Sequence, residues 1–198
     1  MGPSWPKPVM LQITSRGYRS RSASGAIPSR AITPGLKLST SRNWAVWLPD
    51  YLDRYEPDPL RYAIASNMPE TSDSEFSWRE YVRSNNDELV ATYGNLGPRV
   101  MTMSYRNFDG KVPQPGELDP AALALLAEAA ERLGDAGRNI ESCRFRAGLE
   151  SAMALARSAN VYLDQKAPWK ALKTDREDAA TTLWVALSVI NCLKTALD

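Results

Sequence analysis

The sequence predicts an all-α fold, an antiparallel helical bundle preceded by a short loop-and-helix connective segment and a disordered N-terminal leader. Three observations carry this reading. Ser77-Trp-Arg-Glu80 and Thr174-Asp-Arg-Glu177 are capping boxes, in which the hydroxyl and the carboxylate each satisfy a backbone N–H that a new helix leaves unpaired. Apolar residues recur at three- and four-residue steps through the second half of the chain. The prolines at positions 3, 6, 8, 28 and 34 interrupt any helical period at the front.

Taken in order, residues 1–34 are rich in Ser, Arg, Pro and Gly and offer no core, so they read as an unstructured leader. Their composition also suits an organellar transit peptide, but the prolines spoil the amphipathic helix such a signal uses, and a cytoplasmic location is expected. Residues 35–72 form a loop followed by two short helices, Leu48 to Tyr55 and, after Pro57 and Pro59, Leu60 to about Ala65. Residues 73–198 form the bundle. Ser77 opens a long helix running towards Asn107. Asp119 caps a second helix that has Pro120 at its first position and Leu123, Leu126, Ala130 and Leu133 on its apolar face. Leu149, Met153, Ala156 and Leu163 mark a third, and Leu183, Leu187, Ile190 and Leu197 a fourth. Four long helices with short connections favour an antiparallel arrangement. No Gly or Pro stop signal precedes Asp198, so the last element is expected to have run further.

The chain has 198 residues, 43% of them apolar, and six Trp, enough for one good core or two small ones. Cys143 and Cys192 are too few for a disulfide framework, lack zinc-site spacing, and read as small core fillers inside helices. There is no histidine, which removes imidazole acid–base chemistry and His metal ligands together. No run of 18 or more apolar residues occurs, so no membrane span is expected. The first 49 residues contain seven Lys or Arg and no acid, which leaves the remainder at about −6. Such a body cannot hold a polyanion by bulk field, so any nucleic-acid contact must be a local patch or a stacking site.

Three places could carry chemistry. Lys37, Leu38, Ser39, Thr40 and Ser41 put a cation and three hydroxyls on a loop beside Gly35, the donors of a phosphate-binding loop; taken alone, such a stretch is ordinarily a solvated loop. Asn95 and Arg99, four residues apart, share one helix face and could offer an amide and a guanidinium to a base. Trp169 follows Pro168 at a break between helices, where an indole either stacks on an unpaired base or lids a bundle core. Asn160 and Tyr162 read as structural polar groups, the former tied to backbone.

Read in order, several stretches resemble methionyl-tRNA synthetases: Gly35 to Tyr51, Asp58-Pro-Leu-Arg-Tyr62, Phe76-Ser-Trp78, Asn86-Asp-Glu-Leu-Val90, Gly94-Asn-Leu96, Asn107 to Pro113 and Ala167-Pro-Trp169. The resemblance covers about residues 35–198 and implies a class I synthetase anticodon-binding bundle over 73–198, behind a KMSKS-like loop and connective helices over 35–72. It implies that Lys37 to Ser41 steady the phosphates of ATP, with Thr40 replacing a lysine and leaving one cation, and that Asn95, Arg99 and Trp169 read a CAU anticodon. It further implies tRNA(Met) as partner, ATP with Mg as substrate only in the full-length family enzyme, no DNA partner and no structural metal.

The family's nucleotide-binding fold and its HIGH signature are expected before the loop, and a chain without histidine cannot contain that signature. The expectation is therefore a fragment, joined to unrelated leader codons and probing tRNA without catalysing ligation, unless a separately encoded catalytic domain completes it. The alternative is a helical protein-interaction module or a non-functional relic. Pro98, between Asn95 and Arg99, is expected to kink their shared face.

Overall fold

A computed structural model describes residues 47–70 and 76–197. The leader and the loop Lys37 to Ser41 lie outside the described residues, so the expectations placed on them have no structural counterpart here. The elements are α1 (Leu48–Leu52), α2 (Pro57–Ser66), α3 (Trp78–Arg83), a π-helical segment (Ser84–Gly94), α4 (Asn95–Asn107), α5 (Pro120–Glu141), α6 (Phe145–Lys166), α7 (Pro168–Thr174) and α8 (Arg176–Leu197). Among the described residues there is no strand, and the all-α expectation is met.

The caps explain where helices begin, with two differences from the sequence pattern. Ser77 Oγ accepts from the Glu80 N–H at 3.1 Å as expected, but the Glu80 carboxylate turns to Arg83 at 2.8 Å. Thr174 is not a cap: α7 runs through it, and Asp175 instead accepts from the N–H groups of Glu177 and Asp178 at 3.1 and 3.0 Å. A carboxylate at that point answers the positive end of α8 better than a neutral hydroxyl. Asp119 caps α5 as predicted, accepting from the Ala122 N–H at 2.7 Å.

Among the described residues the apolar side chains gather in two clusters. The larger centres on α8, where Leu183, Val185, Ala186, Val189 and Leu193 are fully buried against Leu155, Ala156, Ala159 and Leu163 of α6, Ala122, Leu125 and Ala129 of α5, and Leu96 and Val100 of α4. By length and composition α8 could cross a membrane, a possibility that scanning for an unbroken apolar run overlooks; here its apolar surface is the middle of the bundle. The α5 stripe is turned by one residue from the predicted one. Ala122, Leu125, Ala129 and Ala136 face inwards, while Leu123 is 52% exposed. Small residues win the inner face because α5 and α6, joined by the turn from Ser142 to Arg144, pack closely. Cys143 sits in that turn, exposed and at φ 58°, rather than in a helix.

The smaller cluster joins α1, α2 and α3 through Tyr51, Leu60, Ala63 and Tyr81, with Tyr55, Phe76, Trp78 and Val82 around them. Tyr51 and Tyr81 meet edge-on, and their hydroxyls are 2.6 Å apart; Tyr51 also donates to the Glu56 carbonyl at 3.2 Å. Burying two phenols is tolerable because they satisfy one another.

The predicted long helix from Ser77 does run to Asn107, but with a π segment in its middle. α4 continues unbroken through Pro98, so the change in helix type lies upstream of the proline, at the junction before Asn95.

Candidate nucleic-acid interface

Trp169 is positioned by a sharp corner. Ala167 ends α6 in the left-handed region at φ 43°, Pro168 begins α7 and is fully buried, and the next residue is turned out, leaving the indole 37% exposed. A proline at the first helical position needs no N–H and fixes the departure angle of α7.

The corner itself is held by charge. Lys166, the last residue of α6, pairs closely with the Asp119 cap of α5 and lies 3.6 Å from Asp178 in the first turn of α8. A cation thus sits at one helix C-terminus and two carboxylates at two N-termini, each complementing a helix dipole. The Lys166 ammonium and then the Ala122 N–H hold Asp119 below its usual carboxylate range, and Asp119 in turn raises Lys166.

Arg99 reaches Trp169 from α4. Its guanidinium carbon lies 4.4 Å from the centre of the indole ring, a cation–π stack. Asp164 on α6 holds the same guanidinium, accepting from Nη2 at 2.8 Å. Arg99 remains 35% exposed and Asp164 more so, which keeps the pair in contact with solvent. Asn95, one turn before Arg99, is exposed, and its Nδ2 donates to the Ala91 carbonyl at 3.3 Å.

Of the three residues predicted to read the anticodon, Arg99 and Trp169 are brought into contact and Asn95 stands on the same helix as Arg99. Sequence reasoning missed Asp164, whose partner is 65 residues away and which carries no local signal. It also passed over Lys170 and Lys173, both exposed on α7 beside Trp169, although Trp-Lys-Ala-Leu-Lys is a local excess of cations on an acidic body. Asn160 is tied to backbone as expected, donating to the carbonyls of Thr92 and Ala156. Tyr162 is buried, and burial raises the pKa of its hydroxyl.

The surface therefore offers an aromatic face, a guanidinium, a primary amide and two ammonium groups within a short span of α4 and α7. Such a set suits an unpaired base, which is recognised by stacking and by its hydrogen-bonding edge, better than it suits a duplex.

Two family models match the chain: tRNA synthetases class I (M) over residues 27–101, and the anticodon-binding domain of methionyl tRNA ligase over residues 112–196. Asn95 and Arg99 fall in the first range and Trp169 in the second. The methionine–tRNA ligase of Thermomicrobium roseum is 51% identical over 166 residues, 82% of this chain and 28% of the relative. That of Dehalococcoides mccartyi strain 195 is 52% identical over 160 residues, 81% and 29% of the two chains. Among solved structures, Mycobacterium tuberculosis methionyl-tRNA synthetase bound by methionyl-adenylate superposes with a TM-score of 0.66 at 30% identity, over 69% of this chain and 28% of that one. The chain spans less than a third of the length of these relatives.

Proposed function

The chain belongs to the methionyl-tRNA synthetase family, and on that premise we propose that its helical unit, residues 73–198, reads the CAU anticodon of tRNA(Met) for ATP-dependent ligation of methionine by the longer family protein. The observation that supports this reading is the solvent-exposed stack of Arg99 on Trp169. Pro168 beside it is fully buried, while the indole keeps 37% of its surface in solvent.

In this reading Trp169 supplies the stacking face for one unpaired base, worth about 1–3 kcal/mol. Arg99 and Asn95 supply donors, and Asn95 also an acceptor, to base edges. Asp164 keeps the guanidinium from swinging into solvent before a base arrives. Lys170 and Lys173 provide the local positive field that the acidic body lacks. The segment 35–72 is proposed as the connection to the ATP site, with Lys37, Leu38, Ser39, Thr40 and Ser41 as its phosphate loop. A single cation there gives weaker charge stabilisation than the two-lysine form of the loop.

Binding of the purified chain to a tRNA with a CAU anticodon, against the same tRNA with that triplet changed, tests the reading. The expected result is a preference for CAU that Trp169→Ala abolishes. Equal weak binding to both tRNAs, untouched by the substitution, would favour a helical interaction scaffold without anticodon recognition. Adenylation is proposed to belong to the longer family protein, so methionine-dependent pyrophosphate exchange by this chain alone would contradict the division of roles.

A further inference from the structure

The π segment is short of hydrogen-bond donors where α4 begins. A π turn pairs the carbonyl of residue i with the N–H of i+5, and an α turn pairs it with that of i+4. At the change from one to the other, two successive carbonyls therefore converge on one N–H. Pro98, just past the junction, removes a further N–H. Backbone closeness confirms how tight the segment is: a Cβ at Gly94 would lie 2.9 Å from the Leu89 carbonyl oxygen.

Side-chain donors reach three carbonyls of this stretch. Thr92 Oγ1 donates to the Asp87 carbonyl at 2.8 Å, Asn95 Nδ2 to the Ala91 carbonyl at 3.3 Å, and Asn160 Nδ2, reaching across from α6, to the Thr92 carbonyl at 2.9 Å. The second hydrogen of the Asn160 amide goes to the Ala156 carbonyl on its own helix, also at 2.9 Å. With both hydrogens committed to carbonyls, the orientation of this amide is fixed by chemistry.

These donors are not equivalent. Asn95 makes the longest of the three bonds from an exposed position, and its second N–H and its Oδ1 stay available for a base edge. Asn160 is partly buried and gives both amide hydrogens to backbone carbonyls. It lies four residues before Asp164, so one face of α6 holds the neighbouring helix at Thr92 through Asn160 and at Arg99 through Asp164.

We infer that Asn160 is a positioning residue for anticodon recognition: its bond to the Thr92 carbonyl keeps the π–α junction in register, and with it the place from which Asn95 meets a base. The inference rests on the anticodon-reading role proposed for Asn95. It assigns Asn160 no contact with the RNA.

The test uses Asn160→Asp, which keeps the side-chain size but turns an acceptor towards two carbonyls, and Asn160→Leu, which removes the donors without adding charge and serves if the first variant folds poorly. Two readouts are taken on the full chain: amide hydrogen exchange, and the ratio of affinities for CAU and altered-triplet tRNAs. Expected are roughly tenfold faster exchange between Asp87 and Gly97 with α8 unchanged, and a comparable fall in the CAU preference, the scale of one lost hydrogen bond. Unchanged exchange in that stretch, or an equal loss of affinity for both tRNAs, would overturn the inference. If the unsubstituted chain itself fails to discriminate, anticodon reading fails, while the exchange data still decide whether Asn160 holds the junction.

Discussion

The two helices that meet at the candidate site are held in different ways. Asn95 and Arg99 stand on a helix whose approach is braced by neutral donors, the Thr92 hydroxyl and the Asn160 amide, acting on backbone carbonyls. Trp169 stands on a corner braced by charge, with Lys166 between Asp119 and Asp178 and an alanine in a left-handed conformation. The neutral bonds of the first support are indifferent to pH and salt, with the Arg99–Asp164 pair as a charged hold on that helix; the second support is charged throughout. The candidate surface thus has two differently built halves, which meet at the contact between Arg99 and Trp169.

The largest expected effect comes from removing the meeting point. Trp169→Ala should weaken binding of CAU tRNA by about 1–3 kcal/mol while leaving the thermal midpoint nearly unchanged, because the ring lies outside the core. Direct titration with the tRNA, paired with a melting curve, checks both parts. A large fall in stability would mean that the indole is a lid after all.

Gly94→Ala addresses the neutral half. The added methyl meets a backbone oxygen that cannot step aside, so a loss of about 1–3 kcal/mol is expected despite the better helix propensity of alanine. Chemical denaturation measures it. A gain in stability would show that the segment relaxes to an ordinary α-helix at no cost.

The charged half should respond to acid. Asp119 has its folded pKa depressed below the ordinary 3.8, so the stability it contributes is present above that value and is lost as pH falls through the folded pKa. Lys166→Met removes the pairing, so the difference in melting temperature between the two proteins should close as the pH drops below 3.8. Asp119 is over a third exposed, which keeps the effect small, and a gap that persists at low pH would assign the loss to packing of the lysine stem.

The smallest effect concerns the α7 ammonium groups. Lys170→Ala with Lys173→Ala should weaken binding of both tRNAs alike and reduce the steepness of the salt dependence by about one per lysine. Loss of the CAU preference instead would make them base contacts.

What was legible in the sequence follows a physical line. Caps at Ser77 and Asp119 and the corner at Pro168 depend on residues a few positions apart, and they were read. The face of α5 was read one residue out, because leucine spacing points to an apolar face while close helix packing selects the alanines beside it. The cap of α8 was placed on Thr174 because the capping-box pattern ranks a hydroxyl there, whereas the chain ends α7 first. Nothing in the sequence marks a π segment, since one extra residue per turn leaves the local composition unchanged. Asp164 was invisible for a different reason: its pairing with Arg99 exists only once α4 and α6 have packed.

The central claim is that Arg99 and Trp169, supported separately, act as one reading surface. A double-mutant cycle on CAU tRNA affinity with Arg99→Ala, Trp169→Ala and the double variant tests it most directly. The account predicts strong coupling, the double variant losing little more than Trp169→Ala alone. Losses that simply add would contradict it, leaving two independent contacts that happen to lie side by side.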